Sequence, residues 1–288
     1  MANLKEIRSR ISSVASTMQI TSAMKMVSAA KLKRAQDAIT QMRPYANKLT
    51  ELLQNLTASL DSSEGGIYST KRKVKNVLVV AISSNRGLCG GFNTNIIKSV
   101  NNLIVGEYSK KQVDIISIGK KTSEYFTKNN LTPVKVYDEL FNDLTYENVA
   151  QIAEEIMKKY LSERYDKVLL VYNQFKNAAT QIIMNENYLP VENTENEGVA
   201  QQDYIFEPDK NQIVEDLIPK SLTTQMFKAI LDSHAAEHGA RMTAMHKATD
   251  NATELNKDLK LSYNKARQAS ITGEILEIVG GAEALKNN

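Results

Sequence analysis

Residues that could bind a metal ion are found together at one place in the chain. The stretch His234-Ala-Ala-Glu-His238 matches HxxEH, a pattern in which two histidines four residues apart share a helix face and bind zinc. The third histidine, His246, lies two turns further on, and no acidic motif follows to complete a ligand set. So short a match arises readily by coincidence on an amphipathic helix, which ranks a zinc hydrolase third among the functional hypotheses.

A glycine-rich segment, Gly87-Leu-Cys-Gly-Gly91, follows a predicted strand and opens a predicted helix, where a dinucleotide site would lie. Its spacing fits neither GxGxxG nor GxxxxGK[ST], and no acidic residue follows in the position expected to bind a ribose. Tight turning and helix packing explain these glycines better than nucleotide binding does.

Cys89 lies in the same turn. Because all three histidines are far along the chain, no local base would activate its thiol, and we expect a buried or partly buried thiol instead.

The composition favours a soluble, folded protein, and the motifs weighed above favour one that is not an enzyme. Of the 288 residues, 42% are hydrophobic and 24% charged, and no run of about eighteen apolar residues could span a membrane. The N-terminal stretch MANLKEIRSRISS lacks the apolar core of a secretory signal, so we expect it to remain on the mature chain. A single cysteine excludes an internal disulfide and suits a reducing compartment. No other catalytic constellation emerges.

Charge is distributed unevenly along the chain. Residues 1–48 carry nine Lys and Arg against two acids, whereas residues 186–216 carry nine acids against Lys210 alone. A basic helix indicates a nucleic acid, an anionic lipid or an acidic protein as partner. A basic coiled-coil protein that binds nucleic acid is therefore the second hypothesis. The near-neutral overall charge of +3 and the lack of stacking aromatics in this stretch, apart from Tyr45, weigh against it.

A long helical pattern extends from residue 3 to about residue 57, and its heptad period indicates a coiled coil. The a positions are Leu4, Ile11, Met18, Lys25, Leu32, Ile39, Ala46 and Leu53, and the d positions are Ile7, Val14, Thr21, Ser28, Ala35, Met42, Leu49 and Leu56. Thr21, Lys25 and Ser28 form a polar patch in this seam. Pro44 should kink or locally unpair the helix, because proline removes a backbone hydrogen bond.

A second long helical pattern extends from near Gln212 to about Ala284, with an expected break at Pro219. Its expected seam alternates steps of four and three residues, which predicts a partner helix alongside it. The members of this seam are Leu255, Leu259, Ser262, Ala266, Ala269, Gly273 and Leu276.

Between these helices, short apolar runs alternate with helical patterns, as is typical of an α/β domain with a largely parallel sheet. Strands are expected at 77–82, 113–118, 134–137 and 168–172, with a hairpin partner at 180–184, and helices at 93–108, 121–129 and 146–164. An acidic loop at 192–197 and a short strand at 204–206 should follow. The expected fold class is α/β. A Rossmann-like domain (74–209) is inserted between an N-terminal helix (1–60) and a C-terminal helix (210–288), which must pair antiparallel.

Several long motifs resemble the gamma subunits of F-type ATP synthases. They are KEIRSRISSV and QITSAMKMVSAAKLKRA near the start, RPYA at Arg43 to Ala46, SSNRGLCGGFN at Ser83 to Asn93, and ARMTAMHKATDNATE with LSYNKARQASITGEILEIVGGAEAL near the end. The resemblance covers both ends and the layout between them. Motifs of this length are highly specific.

The resemblance implies a rotor in the central stalk. In that family the terminal helices form an asymmetric antiparallel coiled coil that penetrates a hexamer of alternating alpha and beta subunits. The α/β domain sits below with the epsilon subunit, on the ring of c subunits in the membrane sector. Proton flow turns the ring and the shaft and so drives ATP synthesis at the beta subunits; in reverse, ATP hydrolysis pumps protons. The implied chain is non-catalytic, needs no cofactor or metal, binds no nucleic acid and meets the membrane only through the complex.

The resemblance also implies an interface with partner subunits. Arg267 and Gln268 match family positions that touch a beta-subunit loop, and Met24 and Lys25 match a segment near acidic beta-subunit loops. Apolar residues of the last turns would rotate inside a hydrophobic sleeve: Ile271, Ile275, Ile278 and Val279. The absence of a transit peptide favours a bacterial protein, peripheral to the cell membrane on its cytoplasmic side.

Overall fold

The structure is a computed structural model that describes residues 4–58, 66–70, 72–191 and 210–286. Two long helices begin and end the described chain, α1 at Leu4–Ala58 and α6 at Lys210–Lys286. The elements between them are α2 (Gly66–Ser69), β1 (Asn76–Ile82), α3 (Phe92–Asn102), β2 (Gln112–Ile118), α4 (Lys120–Lys128), β3 (Lys135–Tyr137), α5 (Tyr146–Leu161), β4 (Lys167–Phe175) and β5 (Gln181–Leu189).

The chain forms two compact units. One combines Met1–Val27 with Met242–Asn288, and the other is Ser28–Arg241, so the division cuts both long helices. The three-part division at 1–60, 74–209 and 210–288 follows the secondary-structure elements instead and stays a prediction. The expected acidic loop at 192–197 and strand at 204–206 lie outside the described residues.

The five strands form one sheet in the order β3-β2-β1-β4-β5. β1 is parallel to β2 and to β4, β3 is parallel to β2, and β5 is antiparallel to β4. The order 3-2-1-4 with a switch beside β1 is that of a doubly wound sheet. The expected α/β class, the mostly parallel sheet and the hairpin partner of β4 are therefore confirmed.

The central strand β1 is apolar throughout because both of its faces are covered. Successive side chains of a strand point to opposite faces. On one face Leu78 and Val80 pack in a core with α5 and with α6 from Ile218 to Ile230. On the other face Val77 and Val79 pack in a core with α3 and with Phe126 of α4. A continuous apolar run is what a doubly covered parallel strand requires.

The expected break at Pro219 was wrong, because α6 continues through it. A proline inside a helix removes a single backbone N–H, and here the surrounding residues offset that loss. Ile218 and Leu222 are buried in the core on either side of the proline, and this packing holds the helix together there. α1 likewise continues past Pro44, and the kink expected there stays a prediction.

The helix expected at 93–108 is α-helical only to Asn102, and Leu103–Glu107 form a wider π-helical turn. Here the Tyr108 amide donates to the Leu103 carbonyl at 2.9 Å, one residue further apart than in an α-helix. The wider turn leaves Leu103 and Tyr108 both buried.

Candidate interaction surface

Within the unit of Met1–Val27 and Met242–Asn288, α1 and α6 pair antiparallel. Arg8 donates to the Tyr263 hydroxyl at 2.9 Å, Thr253 contacts the Met18 sulfur at 3.3 Å, and Thr249 donates to Thr21 at 2.8 Å. Residue numbers rise along one helix as they fall along the other. The antiparallel pairing expected from chain order is thus confirmed in this unit.

The heptad seam of α1 is also confirmed. Among the residues whose side chains the structure describes, every a and d position from Leu4 to Leu49 is buried or half-buried. The polar patch within the seam has partners on α6. Thr21 bonds to Thr249 there, and Lys25 Nζ lies 3.5 Å from Nδ1 of His246.

The expected seam of α6 was partly wrong. Leu255 is 49% exposed and Ser262 is exposed, whereas their neighbours Asn256 and Tyr263 face α1. The side chains that face α1 with the same alternating step of four and three are Met245, Thr249, Ala252, Asn256, Leu259, Tyr263 and Ala266. A search for apolar residues passes over Thr249 and Asn256, although polar residues at single seam positions are a known device for fixing register.

Met24 and Lys25 lie together on α1, both half-buried. His246 Nδ1 is 3.5 Å from Lys25 Nζ and 3.3 Å from Asp250 Oδ2. Nδ1 therefore accepts from Lys25 when it carries no hydrogen and donates to Asp250 when it carries one. Lys25 is thus held at the edge of the helix pair, half-buried and beside His246.

The end of α6 forms the other part of the surface. From Arg267 to Glu283 every residue except Gly273 is exposed. The apolar members of this tip are exposed by about half or more: Ile271 48%, Ile275 55%, Leu276 66%, Ile278 71% and Val279 59%. Steps of four and three residues place Ile271, Ile275 and Ile278 on one helix face. An apolar stripe of this kind, with no partner among the described residues, marks an interaction surface.

The glycine-rich turn anchors α6 within the unit Ser28–Arg241. The guanidinium of Arg241 donates to the carbonyl oxygens of Gly87 and Arg86 and pairs with Glu237 at 2.6 Å. Behind the turn, Cys89 is buried and packs with Phe92, Ala236 and Ala240. Burial raises the pKa of the Cys89 thiol. The buried thiol expected from the sequence is confirmed, and the turn presents carbonyl oxygens to a cation where a phosphate site would present amides.

The histidines of the HxxEH match lie close together. Their Nε2 atoms are 3.1 Å apart, and the His234 ring stacks on Phe141. Glu237 between them is paired with Arg241. In the described ranges, no group of three or more His, Cys, Asp or Glu side chains is arranged to hold a metal ion. Burial lowers the pKa of His234 to about 4 and of His238 to about 3, so both rings are neutral at pH 7.

Sequence reasoning missed two polar contacts that join segments far apart in the chain. One is the Arg241 clamp on the glycine turn. The other joins α1 to α6 within the unit Ser28–Arg241, where Arg43 Nη2 lies 3.5 Å from Oδ1 of the fully buried Asp232. The sequence does contain a signal for the second contact, because Asp232 and Arg43 each interrupt an apolar helical face. Nothing in the sequence shows, however, that these two residues meet.

The fold and this surface define an α/β protein whose long terminal helices pair and whose final helical turns stay uncovered. Among its described helices, none is both long and apolar enough to cross a bilayer.

A family model described as ATP synthase matches residues 3–285. The ATP synthase gamma chain of Christiangramia forsetii is 65% identical over 285 residues, covering 99% of both chains. That of Flavobacterium johnsoniae is 64% identical over 289 residues, again covering 99% of both. The chain belongs to the family of ATP synthase gamma chains.

Solved structures share the fold. The chain is similar to one in the Euglena gracilis mitochondrial ATP synthase rotor, with a TM-score of 0.68, 23% identity, and coverage of 93% of this chain and 98% of that one. It is also similar to one in the central stalk and c-ring of the Tetrahymena thermophila mitochondrial enzyme, with a TM-score of 0.61, 24% identity, and coverage of 80% and 99%. The fold is thus that of ATP synthase central-stalk subunits.

Proposed function

We propose that this chain is the non-catalytic shaft that carries rotation between a membrane ring of c subunits and a catalytic head of alpha and beta subunits. Proton flow would drive ATP synthesis through it, and ATP hydrolysis would pump protons in reverse. Family membership supports this role, and so do the named central-stalk structures that share its fold.

The observation that carries the proposal is the uncovered tip of α6. Its stripe of Ile271, Ile275, Ile278 and Val279 is exposed although these side chains would each gain roughly 1.5–3 kcal/mol by burial. An apolar sleeve provided by the head would bury the stripe. Dispersion and burial are non-directional, so such a contact favours no single rotary angle strongly.

Polar residues below the stripe would sense the angle of the shaft. We assign Arg267 and Gln268, both exposed on α6, to contacts with a beta-subunit loop. Met24 and Lys25 would meet acidic beta-subunit loops, and the basic composition of residues 1–48 suits such partners.

The α/β sheet domain would stand between the head and the membrane, with the epsilon subunit and the c-ring as its partners. The chain would then be peripheral to a bacterial membrane, on its cytoplasmic side, and would meet lipid only through the complex. On this view the segments 1–60, 74–209 and 210–288 act as one strand of the shaft, a foot and the other strand.

The proposal is tested by exchanging one apolar side chain of the tip for a charge. Ile278→Asp should leave the fold of the isolated chain intact, because Ile278 is 71% exposed. In membranes containing the assembled complex, the same change should reduce ATP-driven proton pumping by about tenfold, since a buried unpaired carboxylate is strongly unfavourable in an apolar sleeve. Val105→Asp is the matched control, because Val105 is 77% exposed and lies on the sheet domain.

Equal pumping by the two variants would argue against a sleeve around the tip. Failure of the full-length chain to assemble with alpha and beta subunits would overturn the shaft assignment itself. The isolated chain should hydrolyse no ATP, and a steep salt-dependent affinity for DNA would support the nucleic-acid hypothesis instead.

A further inference from the structure

The side chain of Asp232 is fully enclosed in the unit Ser28–Arg241, with an exposure of 0%. Its nearest cation is Arg43 of α1, whose Nη2 lies 3.5 Å from Oδ1 and whose side chain is 48% exposed. The pair thus links the two long helices through one buried carboxylate and one guanidinium that reaches solvent.

Three elements hold this charge. Burial raises the pKa of Asp232, while Arg43 on α1 and Lys228 on α6 oppose that shift, and the backbone of Phe175 on β4 adds to their effect. The ionised form of Asp232 therefore depends on α1 staying in place. The carboxylate in turn attracts α1 to one position along α6.

Stability alone does not account for such a pair. An apolar replacement for a buried ion pair is often as stable or more stable, because removing a carboxylate from water is costly. Apart from Ser28, the residues of α1 that are buried in this unit are apolar among those that the structure describes: Leu32, Ala35, Ile39, Ala46 and Leu49. Apolar contacts are non-directional and leave alternative registers close in free energy, whereas a single polar contact in a helix seam selects one register.

We propose that Asp232 is a positioning residue which, through Arg43, pins α1 to α6 and prevents the two strands of the shaft from slipping under torque. This inference rests on the proposed shaft function. It adds to that function a specific point of torsional coupling within the unit Ser28–Arg241.

The test compares ATP hydrolysis with ATP-driven proton pumping in membranes that contain the assembled complex. Asp232→Asn keeps the shape of the side chain and leaves no unpaired charge in the interior, because Arg43 reaches solvent. Its thermal stability and hydrolysis rate should match the unsubstituted chain. Pumping per ATP hydrolysed should fall about fivefold. A factor of five corresponds to about 1 kcal/mol, which is a typical interaction energy for two residues in contact.

Arg43→Met should reproduce this fall in pumping per ATP, but it should also lower stability, because it leaves the enclosed Asp232 carboxylate without its cation. The double variant should regain that stability and pump no worse than Asp232→Asn, since both changes remove the same contact. Asp37→Asn is the matched control on the same helix. Asp37 pairs with Lys33 at 2.9 Å on an exposed face, so pumping per ATP should not change.

Unchanged pumping per ATP in Asp232→Asn would overturn the positioning role of Asp232. If Asp232→Asn lost stability, hydrolysis and pumping in parallel, the proposal would be overturned too, because that pattern indicates that Asp232 has a structural role alone. If the unsubstituted complex itself failed to couple hydrolysis to pumping, both the shaft function and the positioning role of Asp232 would be refuted. The two outcomes for Asp232→Asn test only the positioning role and leave the shaft function intact.

Discussion

The side-chain amide of Asn256 on α6 donates to the backbone carbonyl of Ile11 on α1, at an Nδ2–O distance of 3.4 Å. Asn256 is only 8% exposed, and its neighbours in the seam are Ala252 and Leu259. A buried amide among apolar residues reduces helix-pair stability but selects one alignment. The bond therefore fixes the register of the unit that carries the tip.

Asn256→Ala should lower the free energy of unfolding by about 1 kcal/mol, the typical net value of one hydrogen bond. Urea denaturation of the isolated chain, followed by circular dichroism, measures the change. Lys257→Ala, one position along on the exposed face, should stay within about 0.5 kcal/mol of the unsubstituted chain. Equal effects of the two changes would show that Asn256 contributes nothing specific to the seam.

Arg241→Met should be strongly destabilising. It leaves Glu237, 9% exposed, without its cation and removes the donors to the Arg86 and Gly87 carbonyls. Breaking a buried pair in this way costs about 3–5 kcal/mol. Adding Glu237→Gln to Arg241→Met should recover part of that loss. Lys33→Met, which breaks an exposed pair of the same i,i+4 spacing, should cost less than about 1 kcal/mol.

Gly119 is required by both its backbone angle and its surroundings. Its φ is +99°, and a Cβ added there would lie 2.3 Å from the Ser83 carbonyl oxygen. Gly119→Ala should therefore cost at least about 3 kcal/mol, or abolish folding. Gly90 also has a positive φ, of +59°, but open space around it, so Gly90→Ala should cost only about 1–2 kcal/mol. Thermal melts of the two variants give the comparison, and similar melting temperatures would contradict it.

Acid should destabilise the sheet domain through His234 and His238. Burial and, to a smaller extent, Lys31 of α1 lower both pKa values, and His234 and Arg241 also lower that of His238, so that His234 has a pKa of about 4 and His238 one of about 3. Below pH 6.5 the unfolded chain binds protons that the folded chain does not, so stability falls as pH decreases towards 4. Burial raises the pKa of Asp232 and of Glu237, so each carboxyl contributes stability that is lost as pH rises above its unfolded pKa of about 4, a dependence opposite in sign to that of the histidines.

The histidine contribution is isolated by comparison with His234→Gln/His238→Gln. Between pH 6.5 and 5, urea denaturation should show a steeper loss of stability for the unsubstituted chain than for this double variant. Parallel slopes would mean that the two rings are protonated as readily in the folded chain as in the unfolded one.

Much of the fold could be predicted from the sequence, because its signals are local. Burial of both faces of β1 explains the apolar run Val77–Ile82, and the heptad period of α1 indicates which of its residues face a partner helix. The seam of α6 could not be aligned correctly, since polar residues such as Thr249 and Asn256 occupy it and exposed Leu255 resembles a seam residue. Pro219 was misjudged because core packing around it, which the sequence does not reveal, outweighs one missing backbone bond.

The candidate interface shows the same limit. The resemblance to the family predicts an interface role for Arg267 and Gln268, and the structure shows that both are exposed. Pairings such as Arg43 with Asp232 could not be predicted, because they depend on which helix faces meet. Arg43 and Asp232 are 189 positions apart in the chain, so only the packed tertiary structure shows that they meet.

The tip of α6 contains Gly273, Gly280 and Gly281, and none of the three would meet another atom within 4 Å if it carried a Cβ. No close approach requires glycine there, yet each one weakens a helix by about 1 kcal/mol relative to alanine. The last turns thus combine poor intrinsic helicity with side chains that gain free energy only when covered. We expect their order to be completed by the surrounding subunits, so that assembly of the head and final folding of the axle tip form one coupled event.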